Sequence, residues 1–295
     1  MTTQFSKLEF IPLNFSWVAL HPDPEGVIFF IGGAFFGTFP TVFYRFFLKK
    51  LFERKYTIVA LPYRFSLRHW SIATSLVRDQ VDLRENMIQE AKRRGYSYNL
   101  YKEKPTEKNS NYFWLGHSLG CKYIALLELL TDLGDDGTGS RVRDLTRGDC
   151  IPERERRHLR ESLADISLKE ISLKSQPSIL MAPAIEGLEG AIPIFRNGGF
   201  SGLKKFLNRI GIKVEPSQKE TFCLIEQETQ LFNLTSLIYF KDDTRIAAPT
   251  VKWLLENISG RLVNKRELKG KHLAPLGWLD GDGEIAMTVI DFLKH

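Results

Sequence analysis

The stretch Asn111-Tyr112-Phe113-Trp114-Leu115-Gly116-His117-Ser118-Leu119-Gly120 decides how the chain reads. Residues 111–117 form a short apolar, aromatic run of the kind that is buried on both faces of a sheet, and 119–131 are helical in pattern. Ser118 therefore sits where a strand turns sharply into a helix, with a glycine two residues before it and two after. A serine hydroxyl is a poor nucleophile at neutral pH, and it needs a base within hydrogen-bond reach and an acid to orient that base. It must also be presented to substrate, and flanking glycines let the chain make the strained turn that does so. The Gly-x-Ser-x-Gly spacing alone is weak evidence; its strand–turn–helix setting gives it weight. An incidental serine in a glycine-bounded turn is the plainer alternative.

Working outward, residues 26–32 and 56–62 repeat the buried-strand signature, and 39–54 read as a helix with Pro40 in its first turn. Residues 70–94 read as one long helix, with Lys92, Arg93 and Arg94 in the last turn and Gly95 as its stop. After Ser118 come strands at 177–184, 235–240 and 261–268. Short helices follow at 200–210 and 217–231, with others at 249–258 and 283–294. Strands alternating with helices predict an α/β fold with a mostly parallel sheet covered on both faces. The sheet segments flank the middle of the chain on both sides, so residues 1–295 read as one domain. It carries a charged, solvated insertion at about 132–172 and a cap-like or lid insertion at about 185–232.

Chain order then makes a demand: an acid after a later strand and a histidine after the last one. Strand 235–240 runs into Lys241-Asp242-Asp243, and strand 261–268 into Lys269-Gly270-Lys271-His272. Of six histidines, His272 is the base expected. His21 precedes the sheet as read here, His69 opens the long helix, His158 lies in the insertion, and His295 is terminal. His117 adjoins Ser118 on the chain, so its ring is expected to point away from the hydroxyl. Asp243 is the preferred acid, with Asp242 and Glu186 as alternatives. The plainer readings are a helix-capping turn for the Asp pair and a packed loop histidine for His272. Two N–H groups are needed for an oxyanion. Leu119 supplies one, and Ala34, in the loop Gly32-Gly33-Ala34-Phe35, is expected to supply the other, with Phe35 as alternate.

Composition narrows the partners. Net charge is +6, with 41 basic residues among 35 acidic ones and no block of one sign. No basic stripe with interleaved aromatics suggests nucleic acid. Cys121, Cys150 and Cys223 lack metal-ligand spacing, and an odd count without a secretory leader points to a reducing, cytoplasmic compartment. No charge falls between Val27 and Tyr44, but Gly32, Gly33, Gly37 and Pro40 favour two short elements over a membrane span. The same glycines lack the spacing of a dinucleotide-binding turn. Asp280-Gly281-Asp282-Gly283-Glu284 has Ile285 where a calcium loop needs glycine, so it reads as a turn. No metal or organic cofactor is expected. Nine of the 21 phenylalanines fall between Phe29 and Phe52. Phe35, Phe36 and Phe39 suit either the wall of an acyl or prenyl pocket or the core under the helix.

The glycine turn after residues 26–32, the Gly116–Gly120 motif, Asp243 and Lys271-His272 together resemble the α/β-hydrolase superfamily, over roughly residues 26 to 294. Phe-Ile-Gly-Gly-Ala-Phe-Phe-Gly and Gly-His-Ser-Leu-Gly-Cys-Lys are also similar to an uncharacterised subfamily of cyanobacteria and plastids. That resemblance implies a cyanobacterial cytosol or plastid stroma, and peripheral contact with thylakoid lipid. Many superfamily members carry His-Gly after the first sheet strand, where this chain has Gly32-Gly33. The reading that results is a serine hydrolase of a carboxylic, lipid-like ester. Its rivals are an acyltransferase on the same triad and a non-catalytic protein of the same fold that binds a lipid, pigment or protein. Oligomeric state is not legible.

Overall fold

The computed structural model describes residues 7–78, 80–104, 111–131, 149–164, 173, 175–185, 214–228, 232–277 and 283–294. Among these, eight strands form one sheet in the order β1-β2-β4-β3-β5-β6-β7-β8. They are β1 (Ile11–Leu13), β2 (Ser16–Ala19), β3 (Gly26–Ile31), β4 (Tyr56–Ala60), β5 (Tyr112–His117), β6 (Ser178–Met181), β7 (Thr235–Phe240) and β8 (Lys265–Leu268). From β4 through β8 all neighbouring pairs are parallel, whereas β2 runs antiparallel to β1 and to β4. The fold is the mostly parallel α/β-hydrolase arrangement expected from the sequence. Every residue of β3, β4, β5 and β6 is buried, which is why these segments read as continuous apolar runs rather than alternating ones.

The edge pair β1–β2 was not anticipated. It is short and half-exposed, with little apolar patterning in Ile11-Pro12-Leu13. Residues 26–31 are thus the third strand, and His21 follows two strands rather than preceding the sheet.

The helices are α1 (Pro40–Phe43), α2 (Arg45–Phe52), α3 (His69–Ser75), α4 (Gln80–Arg94), α5 (Asn99–Lys102), α6 (Leu119–Leu130), α7 (Glu153–Leu163), α8 (Gln218–Gln227), α9 (Ala248–Asn257) and α10 (Gly283–Leu293). The long helix expected over 70–94 is two, because α3 ends at Ser75 and α4 begins at Gln80. The helix expected over 39–54 is likewise α1 and α2, parted at Tyr44. The expected helix at 200–210 and the acidic turn at 280–282 lie outside the described residues, as does most of the cap-like stretch.

The charged stretch 132–172 is not wholly a solvated insertion. Within it α7 buries Glu155, Leu159 and Leu163, one turn apart on a single face, and Trp70 Nε1 on α3 donates to Glu155 Oε1 at 2.9 Å. A run of charges concealed this stripe, since the sequence shows only two apolar side chains on it. Helix α6 is buried along its whole length, including Lys122, whose ammonium donates to the Pro216 carbonyl at 2.6 Å. The cysteines also depart from expectation. Cys150 and Cys223 form a disulfide joining the approach to α7 with α8, and Cys121 is free and buried. The odd count was a poor guide because one thiol serves as a core residue.

Candidate active site

Strand β5 delivers Ser118 at the carboxyl edge of the sheet. Its φ of 55° lies where side chains are disfavoured, and such strain persists only where the surroundings over-determine it. The surroundings do so from both sides: Ser118 N–H donates to the Met181 carbonyl at 3.0 Å, and its carbonyl accepts from Ala184 N–H at 3.2 Å. Both flanking glycines are required by packing. A Cβ on Gly120 would run into the Ile31 carbonyl at the end of β3, and one on Gly116 would lie 2.8 Å from Cys121 N. The motif therefore seats the start of α6 on β3 and β5.

The structure brings Ser118, His272 and Asp243 together. His272 Nε2 is 2.8 Å from Ser118 Oγ, and His272 Nδ1 is 2.6 Å from Asp243 Oδ2. All three are buried, at 4%, 6% and 6% exposure, so the contacts are shielded from competing water. Asp243 comes from the turn after β7, and His272 from the loop after β8. Burial works to raise the Asp243 pKa, but His272 and the N–H groups of Ala247 and Ile246 outweigh it and hold the carboxyl below its ordinary value. Asp243 also caps the turn before α9, accepting from Ile246 at 3.2 Å and Ala247 at 3.3 Å. The capping reading and the orienting reading thus describe one carboxylate. Asp242 is exposed and makes no contact with His272 among the described residues; Glu186 lies outside them.

Across from Ser118 the loop after β3 runs close. A Cβ on Gly33 would stand 3.0 Å from Ser118 Cβ. The N–H groups of Leu119 and Ala34 have no hydrogen-bond partner among the described residues. Ala34 is buried, whereas Phe35, its neighbour, has a φ of 45° and is largely exposed. The Gly33 carbonyl accepts from Gly37 N–H at 2.6 Å, which curls the loop into the short 3₁₀ turn before α1.

Sequence reasoning missed two residues. His117 does turn from Ser118, but it is not idle: its Nε2 lies 2.9 Å from the His272 carbonyl oxygen and its Nδ1 2.8 Å from Tyr44 Oη. Tyr44 Oη in turn accepts from Gly33 N–H at 2.8 Å. A peptide N–H at one end and a carbonyl at the other fix every proton in between. Tyr44 donates to Nδ1, and His117 is the Nε2–H tautomer. Burial, reinforced by His272, depresses the His117 pKa to about 3, so the ring is neutral. The position of His117 beside the serine was a signal. Nothing marked Tyr44, 73 residues away. Tyr44 anchors the Gly32-Gly33 loop.

Among the described residues no group of side chains is arranged to hold a metal ion, and no helix is long and apolar enough to cross a membrane.

A family model described as a protein of unknown function (DUF1350) matches residues 9–139. No curated protein matches the chain. Among solved structures, an esterase/lipase from an uncultured bacterium is similar at a TM-score of 0.50 and 13% identity, covering 100% of this chain and 86% of that one. An inhibited esterase B from Lactobacillus rhamnosis is similar at 0.50 and 13%, covering 95% of this chain and 82% of that one. At such identities the likeness extends to the α/β-hydrolase fold.

Proposed function

We propose that the protein is a serine hydrolase of carboxylic esters, with Ser118 as nucleophile, His272 as general base and acid, and Asp243 as the group that orients His272. The observation that carries the reading is the unbroken chain Ser118 Oγ–His272 Nε2 and His272 Nδ1–Asp243 Oδ2, at 2.8 and 2.6 Å, on a positive-φ serine. As Ser118 Oγ bonds to the acyl carbon, its proton passes to His272 Nε2. The Leu119 and Ala34 N–H groups hold the oxyanion. Collapse breaks the ester C–O bond, and the alcohol leaves with the proton from His272. Water then attacks the acyl-enzyme, giving its proton to His272, and the acid departs as Ser118 regains its hydrogen. No step calls for a metal or organic cofactor.

The acyl group is taken to be apolar, on the strength of the aromatic side chains that border the Ala34 loop. Hydrolysis of a series of nitrophenyl esters tests both parts. Turnover that rises with acyl length and vanishes in Ser118→Ala supports the reading. Turnover that survives in Ser118→Ala refutes it. An added alcohol acceptor separates hydrolysis from acyl transfer, since transfer yields a new ester in place of free acid.

A further inference from the structure

Ten large apolar side chains are exposed among the described residues, and five of them lie in one region: Phe35, Phe39, Val42, Phe46 and Phe65. Of the others, Phe15 and Trp17 lie at the β1–β2 hairpin, Leu234 and Val263 at the starts of the chain segments leading into β7 and β8, and Met287 on α10. Phe39 is 61% exposed and Val42 66%, on short elements whose opposite face, with Pro40, Phe47, Leu48, Leu51 and Phe52, is buried. The region borders the candidate active site on two sides. Phe35 directly follows Ala34 and stacks on Phe65 with ring centres 5.7 Å apart. Phe46 packs against Gly277, in the loop that follows His272.

The charges on the segments that carry this face are mostly basic. Residues 34–54 carry four basic side chains and one acidic, and residues 63–69 add Arg64 and Arg68 with no acid. Arg45, Arg64 and Arg68 are exposed and have no ion-pair partner among the described residues. Lys50 lies over the Phe46 ring at 5.5 Å. Lys49 and Lys50 both reach Glu53, at 3.6 and 3.5 Å; such exposed pairs are weak and exchange readily for another anion. Aromatic side chains in front and cations beside them are what an interface of acyl chains and anionic headgroups selects. A protein groove would be matched equally well by the apolar part, but it gives no reason for the cationic surround.

We propose that the face of Phe39, Val42 and Phe46, flanked by Phe65, docks the protein on an anionic lipid surface, and that the ester it cleaves is drawn from that surface. The second half rests on the ester-hydrolase reading; the first does not.

The test uses the full chain carrying Ser118→Ala, sedimented with vesicles of phosphatidylcholine alone or mixed with phosphatidylglycerol. Binding to the mixed vesicles is expected, and Phe39→Ser with Val42→Ser should weaken it by about tenfold or more. Arg45→Gln with Arg64→Gln should remove the preference for the anionic vesicles, as should high salt. These positions are exposed, so circular dichroism should show unchanged folding. Absence of binding to either vesicle, or full binding by the Phe39/Val42 variant, overturns the docking face. So does a dimer that buries these residues and leaves vesicles untouched. Wild-type protein that binds vesicles but releases no acid from a diacyl ester embedded in them overturns the substrate half alone.

Discussion

The Tyr44 hydroxyl donates to His117 Nδ1 at 2.8 Å, and through it the loop bearing Ala34 is tied to the backbone of His272. On the proposed mechanism, the oxyanion donor and the general base hang from one buried strut. Tyr44 is fully buried, and that burial holds its hydroxyl proton far above the ordinary tyrosine range, so the strut keeps its polarity at any working pH. Tyr44→Phe leaves Gly33 N–H and His117 Nδ1 without partners, at about 1–3 kcal/mol each. The expected result is a fall in kcat of about tenfold or more with KM little changed, because the loss falls on the transition state. His117→Gln, which can keep an N–H aimed at the His272 carbonyl, should lose less than His117→Phe. Equal losses in the two would show that the bond to His272 does not matter.

The His117 ring should show no protonation above about pH 4, given its pKa of about 3. Imidazole nitrogen NMR checks this directly: one pyridine-type Nδ1 and one Nε2–H, unmoved between pH 5 and 8. This readout does not depend on activity. A His117 signal that titrates near neutrality would break the proton assignment along the strut.

Asp243→Asn keeps the shape but lets His272 take the wrong tautomer, so kcat should drop by roughly 10⁴-fold. The same carboxylate makes a pH-dependent contribution to folding. Its pKa in the folded chain lies below the ordinary 3.8. Its stabilisation is therefore present above that unfolded value and is lost as pH falls through the folded one. Acid unfolding of Asp243→Asn should show a shallower loss below about pH 4 than the wild type. Identical acid limbs would mean that the His272 and Ala247 contacts do not hold the charge.

The disulfide closes a span of 73 residues, worth roughly 4 kcal/mol of denatured-state entropy. Alkylation of the unfolded chain should modify one cysteine before reduction and three after it. Reduction should lower the melting temperature measurably. Three reactive thiols without reductant would remove the link between α7 and α8.

Much of this architecture was legible in the sequence, for physical reasons that also explain the gaps. Buried parallel strands write themselves as apolar runs, so 26–31, 56–60, 112–117 and 235–240 stand out. The edge strand β1 buries little, and β2 beside it is only four residues long, so the pair leaves almost no pattern. The break between α3 and α4 was hidden because apolar residues keep helical spacing across it. Ser118, Asp243 and His272 could be picked out because the fold orders them along the chain, and the structure brings these three side chains into contact. Tyr44 could not, since its role exists only where β3, α1 and β5 converge. The pairing of Cys150 with Cys223 was likewise a matter of three dimensions. Of the aromatic residues near Ala34, Phe36 packs partly buried against the core as one reading had it, whereas Phe35 and Phe39 are exposed.

The most direct measurement is covalent labelling with a fluorophosphonate probe, read by intact mass on wild type, Ser118→Ala and His272→Ala. An activated serine predicts a single adduct on the wild type, none on Ser118→Ala, and none on the same timescale on His272→Ala. A folded wild type that takes up no probe, or an adduct that persists without Ser118, would contradict the account.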